Sequence, residues 1–486
     1  MFRKNRTSIT PEDEPREVPG KFGSVTFNAI KMIKNGNTFF KQYEEKYNST
    51  VFRVYAGAKV VALLDNIAIQ TLFDHDSISK EDGFGKVRLN FDLMANIRPS
   101  IFSNDQSHIR RKRFIMQILR HIPANYMIKI ADKIIRRHFE AWSNKYSYSH
   151  RENSVAGDFE SEIQEVCSDI ITTLFLGSKG NVAALQNWIS GIFERSRRLG
   201  LMKTKSYVNA YIGYQEMMKH IERAPTLKKI VQIAGEHSLD VEDAKHNLLF
   251  AMVFNAYGGC NCVIRTCAAR IALLKEAERE RLIAEIKLRL ENHDGLSANS
   301  LYQMRTLESF VLEVLRTSPP ISMIFGRTKR DLVIYSSSGK FKVVKGQLLA
   351  GSIYSAHRDP TIFKNPEEFR PFRFIEEPAL KQNIVWEAGP YTVNATEDSH
   401  QCPGKGIAIP LIEVFCLYLL LHCQYTLNKE PIWTGKKSSR SGCPDEPISL
   451  KQFSFQPAKF SVNLPTHVLD SFNLLGPDTT FDAVAH

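Results

Sequence analysis

Hydrophobic and polar positions change rhythm several times along the chain. Residues 25–48 carry apolar side chains at helical spacing, whereas TVFRVYAGAKVVALLD (50–65) alternates, predicting a hairpin that turns at Ala56–Gly57. From about 106 to 320 the helical rhythm prevails, broken near Gly157, Gly177 to Gly180, Pro225 and Asp294–Gly295. Alternation returns over 322–355 around Ser336 to Gly339. A loop rich in Pro and Arg (359–374) follows, then a polar, turn-rich stretch from Trp386 to Gly406. The run from Ile407 to Leu421 is nearly all apolar and predicts a buried helix, ahead of a strand-prone C-terminal part. With no internal repeat, low-complexity segment or linker, the pattern predicts one large domain, mainly α with small β-sheets, over residues 21–475. A polar tail (1–20) precedes it and a short tail (476–486) follows. No strand–GxGxxG–helix unit occurs, which argues against a dinucleotide site.

Charge adds a partner class. The 486 residues carry a net charge of +12, dispersed over small clusters such as His108 to Arg113, Arg195 to Arg198 and Lys436 to Arg440. No nucleic-acid-binding module accompanies them, so an anionic ligand or an anionic membrane surface is the better inference. The eight cysteines include no C-x-x-C pair and no zinc-finger spacing, which argues against a disulfide framework or structural zinc. The opening MFRKNRTSITPEDEPREVPG has no apolar leader, and no run reaches the ~18 apolar residues of a membrane span. The expectation is a reducing, cytoplasmic setting, free or peripheral on a membrane surface.

Two constellations carry chemistry. Cys402 closes the turn-rich stretch, immediately before the apolar helix, where amide N–H groups and the helix dipole favour a thiolate. Such a cysteine is either a buried reduced thiol or an axial haem ligand. In LESFVLEVLRTSPP (307–320), Glu313 and Arg316 meet on one helical face among apolar neighbours, which predicts a buried pair needing a third polar partner. Arg373, in NPEEFRPFRF (365–374), is the candidate.

Glu313-x-x-Arg316, Phe369-Arg-Pro-Phe-Arg373-Phe374 and the Cys402-Pro-Gly404 loop, in that order and spacing, resemble the cytochrome P-450 superfamily. The resemblance implies that fold, haem b with Cys402 as iron ligand, and a structural core of Glu313, Arg316 and Arg373. The departures are informative. Ala395, Asp398 and His400 stand where that superfamily usually has Phe, Gly and Arg. Between Leu249 and Arg265 the distal helix has no Asp or Glu, and Thr266 is the first hydroxyl able to serve. The acid–threonine pair that delivers protons to bound oxygen is therefore missing.

The distal stretch Phe254-Asn255-Ala256-Tyr257-Gly258-Gly259 is similar to the fatty-acid hydroperoxide-metabolising branch: allene oxide synthases, hydroperoxide lyases and epoxyalcohol synthases. So are Trp386, Gly389–Pro390, Thr392 and Gln401–Cys402. This likeness implies a hydroperoxide substrate and no reductase. Asn255, whose amide both donates and accepts, becomes the catalytic candidate. Phe254, Gly258, Gly259 and, more weakly, Ser449 are expected at the substrate, with Val87 and Leu89 in the loop after Phe84. His108 and Lys112, with Arg327 or Lys329, are expected at the haem propionates. The expected product is an epoxyalcohol, with allene oxide synthase and hydroperoxide lyase as alternatives. A reductase-dependent monooxygenase and a non-catalytic haem sensor are the rival classes.

Overall fold

The computed structural model describes residues 14–81, 83, 90–147, 157–192, 205–436, 442–457 and 460–462. The early helical stretch forms helices Val25–Asn35 and Lys41–Tyr47, joined by a tight turn of helix over Gly36–Phe39. The predicted hairpin follows as β2 (Val51–Tyr55) and β3 (Lys59–Leu63), paired Val51 to Leu63 and Tyr55 to Lys59. Strands β5 (Met323–Thr328), β6 (Leu332–Ser336), β7 (Gly339–Val343) and β8 (Leu348–Ser352) account for the later alternation. β5 and β8 join the hairpin and β4 (Ile78–Ser79) in a five-stranded sheet ordered β2-β3-β8-β5-β4. A three-stranded sheet contains β6, β7 and β1 (Arg16–Glu17). β1 lies within the expected N-terminal tail and pairs parallel with Phe341 and Lys342. β9 (Cys423–Leu427) and β10 (Leu450–Phe455) form an antiparallel pair.

Helices make up the larger layer and the main core. Their ends are set by local chemistry. Asp158 accepts the Ser161 amide at one end of helix Phe159–Leu176, and Gly177, at φ 75°, ends it. Asp240 caps the long distal helix by accepting the amides of Glu242 and Asp243. That helix runs to Ala272 but widens into a π-helical segment over Phe250–Tyr257, where the Gly258 amide reaches back to Val253 O. A widened turn of this kind turns successive side chains off the regular helical track and recurs at functional sites.

The predicted apolar helix spans Lys405–His422. By length and composition it and the distal helix could cross a membrane, but both lie mostly buried within the fold. They pack against one another and hold the cysteine loop beneath the π segment.

Candidate active site

The cysteine loop is built to aim one sulfur. Gln401 donates its amide to Pro390 O (2.8 Å) and Val393 O (3.1 Å). A Cβ on Gly389 would come within 2.6 Å of the Gln401 side chain, so glycine is needed for this approach. Trp386 Nε1 donates to Cys402 O (3.1 Å), and Lys405 ties the loop to Tyr391 O (2.7 Å). Cys402 Sγ accepts the Gly404 amide (3.4 Å).

The sulfur borders a cavity of about 1050 Å³, at the upper end of ordinary ligand pockets. Phe254, Asn255, Gly258 and Gly259 line it from the π segment and the turn after it. Phe254 stacks on Phe250 with ring centres 4.5 Å apart. A Cβ on Gly259 would meet nothing within 4 Å, so the glycine leaves open space. Asn255 is half-buried, and its side-chain amide makes no hydrogen bond among the described residues. Thr266, by contrast, spends its hydroxyl on Cys262 O (3.0 Å) and Gly442 O (3.3 Å).

Lysines and histidines collect on the cysteine-loop side. Lys112 bonds Gln401 O (2.8 Å) and both oxygens of Ser399, while the two ring nitrogens of His108 lie 2.7 Å from Ser100 O and 3.0 Å from Ser399 O, of which a neutral ring donates to one. His108 also stacks on His400, with centres 4.0 Å apart. Burial lowers the pKa of both imidazoles, that of His400 strongly, which favours their neutral forms. Burial likewise brings Lys80 and Lys112 down to about 8 and lifts Glu387 to about 6. His400 Nδ1 and Glu387 Oε2 are buried without partners among the described residues. The helix terminus does not settle the cysteine's charge as expected. Burial pushes the Cys402 thiol up, outweighing the Gly404 amide and Lys112, so the thiolate needs a stronger partner such as a metal cation.

This donor set fits a flat, anionic, thiolate-ligated haem. A soft sulfur faces the cavity, glycine leaves room above it, and lysines and histidines stand ready for carboxylates. Elsewhere in the core, Glu313, Arg316 and Arg373 are each 0% exposed. Arg316 donates twice to Glu313 (2.8 Å each), and Arg373 Nε lies 3.1 Å from both carboxylate oxygens.

Other expected residues lie elsewhere. Arg327 sits two residues beyond the last β5 residue on the cavity and bonds Gly346 O (2.6 Å). Lys329 reaches His75 O (3.1 Å) and Asp105. The strand carries both away from the cysteine, so neither lines the cavity. Ser449 does not line it either, because its backbone joins Asn428 beside the β9–β10 pair. Val87 and Leu89 fall outside the described residues. Lys80 and Glu387 were not anticipated. Each stands in an irregular stretch, and only folding brings them to the cavity.

Comparison with known proteins places the chain beside one set of relatives. The family model for cytochrome P450 matches residues 275–452. The chloroplastic allene oxide synthase of Arabidopsis thaliana is 28% identical over 441 residues, covering 83% of each chain. Divinyl ether synthase CYP74M3 of Selaginella moellendorffii is 25% identical and covers 81% of this chain and 88% of its own. For the chloroplastic linolenate hydroperoxide lyase of Arabidopsis thaliana the figures are 25%, 82% and 90%. Among solved structures, retinoic acid-bound cyanobacterial CYP120A1 superposes with a TM-score of 0.69 at 18% identity, over 91% of this chain and all of its own. A variant of cytochrome P450 OleT in complex with arachidonic acid reaches 0.69 at 13% identity, with the same coverage.

Proposed function

Starting from a chain that belongs to the cytochrome P450 superfamily, we propose a haem-thiolate enzyme that isomerises polyunsaturated fatty-acid hydroperoxides to epoxyalcohols, using neither dioxygen nor a reductase. When bound, a thiolate-ligated haem supplies O–O cleavage. Cys402 would hold its iron, and Lys80, Lys112 and the unpartnered His400 Nδ1 its carboxylates, with His108 ordering the loop beside them. The observation that carries the reading is the distal wall. It offers an Asn255 amide with no hydrogen-bond partner among the described residues, no carboxylate between Leu249 and Arg265, and a threonine hydroxyl already committed to backbone. Proton delivery to dioxygen lacks its residues there, whereas a ready-made peroxide needs only to be oriented.

Asn255 suits that task. Its N–H₂ can donate to a peroxide oxygen and its C=O can accept the hydroperoxide proton. Phe250 and Phe254 form an apolar wall for the acyl chain, and Gly258 and Gly259 leave space for its reacting carbons. The names of the relatives support the substrate class, since they include allene oxide and divinyl ether synthases and a linolenate hydroperoxide lyase.

The two candidate products differ in their atom balance. Isomerisation to an epoxyalcohol keeps both hydroperoxide oxygens and every hydrogen, whereas an allene oxide forms with loss of water. Among the described lining residues the only carboxylate is Glu387, in the cysteine loop rather than on the distal helix. The distal wall thus offers no carboxylate to take up a proton from carbon. Allene oxide formation is the second reading, supported by the allene oxide synthases among the relatives. Incubating the purified ferric protein with a heavy-oxygen-labelled hydroperoxide tests both. An epoxyalcohol carrying both labelled oxygens is expected. A ketol derived from an allene oxide would overturn the product, and an untouched hydroperoxide would overturn the reading.

A further inference from the structure

Two of the eight cysteines meet beside the distal helix. Cys262, on that helix, and Cys443, in the stretch leading to β10, are thiols in the structure, with sulfurs 3.5 Å apart. Cys443 Sγ also lies 3.5 Å from Cys262 O. The loop bearing Cys443 is fixed by its neighbours. Thr266 donates to Gly442 O (3.3 Å) as well as to Cys262 O. A Cβ on Gly442, at φ 78°, would come within 2.6 Å of Ser318 O, so glycine is needed for the loop to pass this close to the Pro-Pro turn. Reaching the ~2.0 Å of a disulfide needs a closure of about 1.5 Å, shared between two side chains.

The surroundings set this pair apart from the other thiols. Cys262 borders the cavity together with Arg265, which also pairs with Glu160. Burial disfavours the Arg265 charge, yet negative charge at Cys443, Glu160 and Cys262 raises its pKa. A guanidinium within electrostatic reach of both sulfurs favours the thiolate, the nucleophilic form. Cys260 borders the cavity too, but burial pushes its thiol up to about 12. Cys267 and Cys416 hydrogen-bond to one another in the core, where burial pushes the Cys416 thiol up, and neither lines the cavity. Among the described residues, Cys262 and Cys443 combine sulfur–sulfur contact, a nearby cation and access to the cavity.

We infer that Cys262 and Cys443 form a redox site that a hydroperoxide in the cavity oxidises to a disulfide, fastening the loop to the distal helix. The Cys262 thiolate attacks the terminal peroxide oxygen and the O–O bond breaks. The departing alkoxide takes up the proton that Cys262 released and leaves as the alcohol. The Cys443 sulfur then displaces hydroxide from the Cys262 sulfenic acid, and the Cys443 thiol proton completes the water. Two thiols and one hydroperoxide give one disulfide, one alcohol and one water, the sulfurs losing the two electrons that the peroxide gains. The lipid oxidant rests on the proposed substrate class, whereas the thiol pair does not.

The experiment treats the purified haem-loaded full chain with repeated additions of linoleic acid hydroperoxide or, in a parallel arm, of hydrogen peroxide. Remaining thiols are alkylated under denaturing conditions, and the peptides are mapped by mass spectrometry without reductant. Both oxidants should yield the Cys262 and Cys443 peptides joined, with the joint lost on adding dithiothreitol, while Cys267 and Cys416 stay open to alkylation. The cross-link closes a span of 181 residues and should raise the urea midpoint. Cys443→Ser should instead leave Cys262 as a sulfenic acid that dimedone traps. Should that variant fail to fold, the wild-type peptide map and midpoint decide alone. A cross-link formed with hydrogen peroxide while the lipid hydroperoxide is left untouched would support the redox site and overturn the substrate class. Lipid hydroperoxide that is isomerised while neither oxidant joins Cys262 to Cys443 would overturn the inference and spare the proposed reaction. An equal yield of a Cys267–Cys416 link would overturn the inference too, since contact with the cavity would then select nothing.

Discussion

Glu313→Gln changes almost no volume and so isolates the electrostatics of the buried Glu313–Arg316–Arg373 cluster. The carboxylate accepts Arg316 Nε and Nη2, Arg373 Nε and the Arg370 amide, the last at 2.9 Å. The remaining guanidinium donors are spent on carbonyls: Arg316 on His357, Pro366 and Glu368, and Arg373 on Lys364, Asn365 and Glu368. A glutamine keeps one acceptor oxygen and turns an N–H₂ toward donors. Two fully buried cations then lack a counter-charge. Breaking a buried pair from one side costs about 3–5 kcal/mol, a large part of a native stability of about 5–15 kcal/mol. The Arg53–Glu17 pair is the control, because its side chains are 32% and 77% exposed. Glu17→Gln should therefore cost about 1 kcal/mol or less. Urea unfolding of both variants and wild type, followed by circular dichroism and haem absorbance, measures the difference. A midpoint for Glu313→Gln corresponding to less than about 1 kcal/mol of destabilisation would refute the reasoning.

Asn255→Ala should retain the haem spectrum while hydroperoxide turnover falls by roughly 10- to 100-fold, the value of a hydrogen bond made to the reacting group; the haem absorbance spectrum checks the first and stopped-flow loss of substrate absorbance the second. The Cβ position of Gly259 meets nothing within 4 Å, so Gly259→Leu should send its side chain into the distal space and raise KM for the hydroperoxide in steady-state assays, with haem absorbance checking that the variant folds. His422 has a buried Nε2 without a partner among the described residues, and burial together with nearby Arg136 lowers its pKa to about 4. Its neutral form therefore contributes stability fully above the unfolded pKa of about 6.5, and that contribution is lost as pH falls toward 4. Urea midpoints for His422→Phe should fall less steeply than wild type between pH 7 and pH 5, by on the order of 1–2 kcal/mol.

Much of the fold was legible because its signals are local. The Val51–Leu63 hairpin follows from alternation, and the break at Gly177 from a residue that tolerates positive φ. The Glu313–Arg316 pair followed from helical spacing, and its apolar flanks demanded a further partner. The structure places Arg373 there, fully buried. What escaped depends on tertiary context. Apolar periodicity does not distinguish a regular turn from the widened one at Phe250–Tyr257, yet that widening is where Asn255 faces the cavity. Arg327 and Lys329 lie close in sequence to the cavity-lining start of β5, but the strand's extension carries them away from the cavity. Lys80 and Glu387 belong to no periodic pattern, and they meet only because the loop after β4 and the cysteine loop border one cavity.

The most direct test of the account is hydroperoxide consumption by the purified haem-loaded protein in the absence of dioxygen, nicotinamide cofactor and reductase. Multiple turnovers with wild type, and none with Cys402→Ser, are the predicted result. Turnover that begins only when an electron donor and dioxygen are supplied would contradict it.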